Sequence, residues 1–306
     1  MKFAILHCEE VSTLFLLEEA AKKVGLEAYV FHYKDIRFFA KNGEVDVRAR
    51  GISLKDFSGI FCRGFWDYQN EVSLLVEFCK RNKIAVFDQA LLKRQMISKM
   101  HDLVCFENAS LPVPKTLYLP SAADEATICS ALKFPIVSKE DRSRKGDQVY
   151  LLKDKAELRN FLARITLSQR TLGANTYQFQ EYIPADFDVR VIVIDGEILG
   201  AIERRSADPH EFRHNISLGG HAKQIAVTPE MKSMAIKAAD VLEYQFAGVD
   251  LITNKNTDKM YVLEVNRSPG FGGFMEATGI DVSLEVMKFF LRKCVSRLRF
   301  INKQIK

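Results

Sequence analysis

Two strand-like runs, Phe246-Ala-Gly-Val-Asp-Leu-Ile-Thr253 and Met260-Tyr-Val-Leu-Glu-Val-Asn266, constrain this chain more than any other feature. The polar segment Asn254-Lys-Asn-Thr-Asp258 between them has the composition of a hairpin turn. Side chains alternate across a strand, so Glu264 and Asn266 share a face, and pairing the runs brings Asp250 beside them. Two carboxylates and an amide suit a hard cation such as Mg²⁺, which takes few protein oxygens and completes its shell with water and phosphate. Taken alone, Asp250 and Glu264 read as solvent-facing strand residues. The continuation Asn266-Arg-Ser-Pro-Gly270 changes this, because Pro269 and three nearby glycines imply a tight loop with exposed amides, a place for phosphate.

The chain has 306 residues, 47% of them apolar, enough for a sizeable core and for two or three domains. No run of about 18 apolar residues exists, so no membrane association is expected. The segment Met1–Cys8 meets Glu9-Glu10 after a short apolar stretch and reads as a first core strand instead of a signal; a cytoplasmic protein is expected. Six cysteines without a Cys-x-x-Cys pair suggest neither disulfides nor zinc. A net charge of +5 favours anionic ligands without separating nucleotides from nucleic acid.

Along the chain, Lys2–Cys8, Ala28–Tyr33, Gly59–Arg63 and Ile84–Asp88 read as buried strands, with helices at about 11–24 and 70–82. Such βαβ alternation gives an open parallel sheet that binds ligands beyond the carboxyl ends of its strands. Arg63, closing one of them, either holds a substrate carboxylate or packs at the surface on Trp66. Gln89 to about Asn108 reads as one long helix, and a domain boundary is expected near residue 90. Further strands are expected at Lys115–Leu119, Phe134–Lys139, Val149–Leu152 and Tyr177–Ile183, with a helix at about 154–167. Asp188–Asp195 and Glu197–Arg205 form a hairpin across Asp195-Gly196, with Asp188 and Arg190 facing the same side. A helix opens at Thr228-Pro-Glu230, and another spans about 281–298.

The motif Glu264-Val-Asn-Arg-Ser-Pro-Gly270, followed by Thr278-Gly-Ile-Asp281, resembles the signature of the RimK-type, glutathione-synthetase-like ligases of the ATP-grasp superfamily. The likeness is good over about 95–285 and holds only in pattern before that. It implies an α/β (α+β) ATP-grasp fold: an N-terminal open parallel sheet domain (1–90), then central (91–185) and C-terminal (186–306) α+β subdomains clasping ATP. By the same resemblance Lys99, Lys139, Glu181, Tyr182, Asp188, Arg213 and Asn215 bind ATP, while Asp250, Glu264 and Asn266 hold Mg²⁺, with Mn²⁺ as an alternative. Lys139, Arg213 and Asn266 then serve catalysis. Read without it, Lys99 is a solvated helix charge, Glu181 an exposed strand residue and Arg204-Arg205 a solvated strand end.

Two departures stand out. The loop Glu140-Asp-Arg-Ser-Arg-Lys-Gly-Asp147, glycine-rich in the family, keeps only Gly146 and adds Arg142, Arg144 and Lys145. These cations either replace part of an amide cradle or read an anionic acceptor. Arg267 stands where the family has a small residue. Beside a metal strand its charge would repel Mg²⁺ unless a carboxylate intervened, so Arg63, Arg204, Arg205 and Arg267 are candidates for gripping an acidic acceptor; otherwise Arg267 points to solvent.

The activity implied is that of an ATP-dependent carboxylate–amine ligase. An acceptor carboxylate on a peptide, protein or small molecule attacks the γ-phosphoryl group, and an amino acid such as glutamate then displaces phosphate. The family also implies a homo-oligomer. Two rivals are a basic module binding nucleic acid through Arg142–Lys145 and the last helix, and a nucleotide binder without ligase activity.

Overall fold

The computed structural model describes residues 1–8, 12–93, 98–119, 124–140, 148–172, 176–208, 211–214 and 219–304. The first sheet is parallel, in the order β2-β1-β6-β7, from β1 (Lys2–His7), β2 (Glu27–His32), β6 (Gly59–Cys62) and β7 (Ala85–Phe87). Its crossover helices are α1 (Ser12–Lys23) and α2 (Gln69–Arg81). The alternation of apolar runs and helical patterns was sufficient to place all six. It did not reveal the small antiparallel sheet β3 (Ile36–Lys41), β4 (Glu44–Ala49) and β5 (Ile52–Ser53) inserted between β2 and β6.

The expected helix over Gln89–Asn108 is interrupted. A 3-10 turn covers Gln89–Lys93, and α3 (Lys99–Asn108) begins afresh at Ser98. Ser98 is extended, at φ −150° and ψ 153°, and its hydroxyl accepts from the His101 amide at 3.0 Å. An N-cap of this kind starts a helix and cannot lie inside one.

The second sheet, β10-β9-β11-β8, is antiparallel. It comprises β8 (Thr116–Leu119), β9 (Ile136–Glu140), β10 (Val149–Leu152) and β11 (Tyr177–Glu181). One face, with Ile136, Tyr177 and Phe179, packs on α4 (Glu125–Ala131) and α5 (Lys155–Leu172). The other carries Lys139 and Gln178, which are register partners, and Gln180.

The third sheet, β14-β13-β12-β15-β16, is antiparallel throughout. Its strands are β12 (Asp188–Ile194), β13 (Glu197–Arg205), β14 (His221–Ile225), β15 (Phe246–Thr253) and β16 (Met260–Asn266). The β12–β13 turn has φ of +52° at Asp195 and +79° at Gly196, both positive as a two-residue primed turn demands. One face, with Val189, Val191, Val193 and Val249, buries against α6 (Pro229–Val241) and α3. The opposite face is divided. Ile192, Ile194, Ile202 and Phe246 pack with α8 (Val282–Gln304) and the parallel sheet. Further along the same strands stand Asp188, Arg190 and Asp250. Alternation sets this division, since β12 presents Asp188, Arg190, Ile192 and Ile194 to one side.

Of the three glycines after Pro269, Gly270 lies in the expected loop, but the other two do not. Gly272 opens a short helix, α7 (Gly272–Thr278), whose Phe274 is buried beside Gly200.

Candidate active site

Asp250 and Glu264 are register partners across β15 and β16, and Asn266 pairs with Gly248 two positions away. Asn266 Nδ2 donates to Glu264 Oε1 at 2.9 Å. That bond leaves the amide oxygen and Glu264 Oε2 available on the same face. The three oxygen-bearing side chains thus share one face of the sheet, and the set suits a hard divalent ion.

Asp250 does not stand free. Arg190 Nε and Nη2 donate to its two oxygens at 2.6 and 2.5 Å, and Arg204 Nη2 lies 3.1 Å from Oδ2. Burial raises the Asp250 pKa and the two guanidiniums more than offset it, so the carboxyl titrates below its usual range. Arg190 was not among the expected site residues, although its spacing from Asp188 and its register with Asp250 would have found it.

Asp188 and Arg204 are paired with each other. Arg204 is 3% exposed and donates to Asp188 from Nε at 2.6 Å and from Nη2 at 2.8 Å. With Asp250, Arg204 has two carboxylate partners. Burial nevertheless raises the Asp188 pKa, against the pull of Arg204. Arg205, on the alternate face, reaches Glu203 at 2.5 Å and lies over the Phe187 ring.

The polar face of the second sheet supplies Lys139. Its ammonium donates to Gln180 Oε1 at 2.8 Å, and Gln180 Nε2 in turn donates to Thr116 Oγ1 at 2.8 Å. Burial lowers the Lys139 pKa to about 8, Glu264 and Asp250 pull it up, and Lys99 pushes it down. The charges that act on Lys139 thus come from the third sheet and from α3. Lys99 Nζ, at the start of α3, also points to the Glu140 carbonyl at 3.4 Å.

Glu181 Oε1 accepts from the amide of Lys115, the residue before β8, at 2.8 Å and so ties the end of β11 to the start of β8. Tyr182 sits edge-on to Phe212, with ring centroids 6.4 Å apart. Arg213, next to Phe212, is bound to Glu211 by its amide at 2.9 Å and by its guanidinium at 2.9 and 2.6 Å. Asn215 and the loop cations Arg142, Arg144 and Lys145 lie outside the described residues.

Arg63 and Arg267 are corrected most. Arg63 is buried, stacked 5.5 Å from Phe61 and 5.6 Å from Phe271, and Nη2 reaches the Pro269 carbonyl at 3.4 Å. It neither lies at the surface nor packs on Trp66. Arg267 points neither to solvent nor across the metal strand, but donates to Asp88 at 2.9 Å between the rings of Phe65 and Tyr244.

Two antiparallel sheets, one carrying lysines and glutamines and the other a charged half-face, joined to an open parallel sheet, define an ATP-grasp architecture. Residues 90–290 match the model of the RimK-like ATP-grasp domain. The chain belongs to that family of carbon–nitrogen ligases. It is 30% identical over 294 residues to a probable alpha-L-glutamate ligase of Trichodesmium erythraeum, covering 94% of this chain and 95% of that one. D-cycloserine synthetase DcsG superposes with a TM-score of 0.71 at 14% identity, covering 96% of this chain and 100% of that one. The ATP-grasp ligase PsnB, complexed with minimal precursor, Mg and ADP, gives 0.68 at 18%, covering 96% of both chains. Among the described residues no helix is long and apolar enough to cross a membrane.

Proposed function

We propose that the protein is a cytoplasmic, ATP- and Mg²⁺-dependent carboxylate–amine ligase that adds an amino acid of glutamate type to a carboxylate acceptor on a peptide, protein or small molecule. The observation that carries this reading is that Asp250, Glu264 and Asn266 share one face of β15 and β16, while the neighbouring antiparallel sheet presents Lys139 on its polar face. The glutamate ligase relative supports the choice of amino acid.

In this reading Asp250, Glu264 and Asn266 would hold the cation, which would supply charge to offset that of the nucleotide phosphates. Lys139 and Lys99 bring positive charge to the nucleotide phosphates. Arg213, released from Glu211, would join them. Arg190 and Arg204 keep Asp250 ionised and fix its rotamer, the task outer partners perform for metal-binding carboxylates. The acceptor carboxylate attacks the γ-phosphorus, giving an acyl phosphate and ADP. An amine then adds to the acyl carbon, phosphate leaves, and an amide remains.

Incubation with ATP, Mg²⁺ or Mn²⁺, and pools of amino acids and peptides, followed by phosphate release and mass spectrometry, tests this. An acceptor heavier by one amino-acid residue, with ADP formed in equal amount, is expected. Nucleotide binding with no product from any pool would leave a nucleotide binder. Binding to nucleic acid that weakens steeply with salt would favour the basic module.

A further inference from the structure

Where the turn after β16 meets the carboxyl edge of the parallel sheet, two arginines cross in opposite directions. Arg63 leaves the end of β6 to hold the Pro269 carbonyl. Arg267 leaves the turn to hold Asp88, just past β7, with Nε 2.9 Å from Oδ2. The Arg267 guanidinium lies between two aromatic rings, 4.9 Å from Phe65 and 4.7 Å from Tyr244. Pro269 presses on β15, since a Cβ added at Gly248 would come within 2.8 Å of Pro269 Cβ. Gly248 is the register partner of Asn266. Asn266 is therefore followed at once by a residue anchored in the parallel sheet, and three positions on by one wedged against its own partner strand.

The Asp88–Arg267 side chains are 9% and 11% exposed. Removing one member of a buried ion pair leaves an uncompensated charge, whereas removing both often costs little. Paired with Asp88, the guanidinium beside Asn266 adds no net positive charge next to the carboxylates of Glu264 and Asp250. Burial pushes the Asp88 carboxyl up to about 6 and Arg267 pulls it down, in keeping with a pair whose members depend on one another.

We propose that Asp88 and Arg267 form a positioning pair that docks the Asn266–Pro269 segment on the parallel sheet, so that cation-assisted nucleotide binding depends on contact between the first and third sheets. This rests on the reading of Asp250, Glu264 and Asn266 as the cation site. Arg267 acts through Asn266 and does not itself touch substrate.

The test uses the full chain and a non-hydrolysable ATP analogue, titrated calorimetrically with Mg²⁺ and again with EDTA, alongside thermal unfolding without ligand. Arg267→Ala should weaken Mg²⁺-dependent binding about 10- to 100-fold, the range seen when outer partners of metal ligands are lost. Its binding in EDTA should match the unaltered protein. The double variant Asp88→Asn/Arg267→Ala should bind about as weakly as Arg267→Ala, because both lack the same docking contact and the two losses do not add. Asp88→Asn alone should weaken Mg²⁺-dependent binding too, because it leaves the guanidinium charge beside the cation site. Normal Mg²⁺-dependent binding in Asp88→Asn overturns the proposal, even if Arg267→Ala does not fold. Equal losses with Mg²⁺ and EDTA, or a double variant that binds as tightly as the unaltered protein, also overturn it. Absence of Mg²⁺-dependent binding in the unaltered protein removes the cation-site reading itself, and this proposal with it.

Discussion

Asp250 faces Glu264 across the β15–β16 ladder while both of its oxygens are held by Arg190, at 2.6 and 2.5 Å. One carboxylate of the candidate cation site is thus built into the sheet by ion pairing, and the other is fastened only to Asn266. The two should respond differently to substitution.

Glu264→Gln should therefore leave folding unchanged and lower Mg²⁺-dependent turnover by about 10²-fold or more, since losing even a hydrogen-bond partner of a metal ligand costs roughly 10–100-fold. Asp250→Asn should do this and also destabilise the protein, since Arg190 and Arg204 lose a shared buried counter-charge; losses of about 3–5 kcal/mol are typical. Urea unfolding paired with phosphate release checks both. Equal stabilities for the two variants would show that Arg190 and Arg204 do not depend on Asp250.

Arg204 and Arg205 adjoin in sequence but stand on opposite faces of β13. Arg204→Ala strands Asp188 in the interior and leaves Asp250 to Arg190 alone, so a loss of about 3–5 kcal/mol is expected. Arg205→Ala removes a surface pair with Glu203, worth about 0–1 kcal/mol. Denaturant midpoints at pH 7 compare them directly. If Arg204→Ala were as stable as Arg205→Ala and only raised the acceptor KM, Arg204 would be an acceptor residue after all.

How far the site was legible follows from what each residue's neighbours are. Asp250, Glu264 and Asn266 could be brought together from strand alternation and one hairpin, because those relations are local. Lys139 needed the family motif, since its neighbours Glu264 and Asp250 lie more than a hundred residues away in another sheet. The arginines were misread for the same reason. From sequence Arg63 and Arg267 are cations without partners, yet Asp88 and the Pro269 carbonyl reach them only when the parallel sheet docks on the third. Ser98 illustrates a smaller failure: helical periodicity runs through it, and only its extended backbone and capping bond show where one helix stops and another begins.

Lys139 gives the last prediction, which turns on pH. Its pKa is 10.5 in an unperturbed chain and about 8 in the fold, chiefly because of burial. Between those values the unfolded chain carries a proton that the folded one lacks, so stability should rise with pH from about 8 towards 10.5, and the cost of burying the ammonium is fully present below about 8. Lys139→Met should consequently stabilise the ligand-free protein at pH 7, by an amount that shrinks above pH 8 and disappears beyond 10.5. Nucleotide binding should respond in the opposite sense. Phosphate next to the ammonium favours its charged form, so at pH 8.5 binding of an ATP analogue should take up a proton and weaken as pH rises further. Calorimetric titrations at pH 8.5 in two buffers of different ionisation enthalpy measure that uptake. It should be present in the unaltered protein and absent from Lys139→Met, which should also bind the analogue more weakly at pH 7. Identical heats in both buffers for the unaltered protein would mean that the Lys139 ammonium does not meet the phosphates.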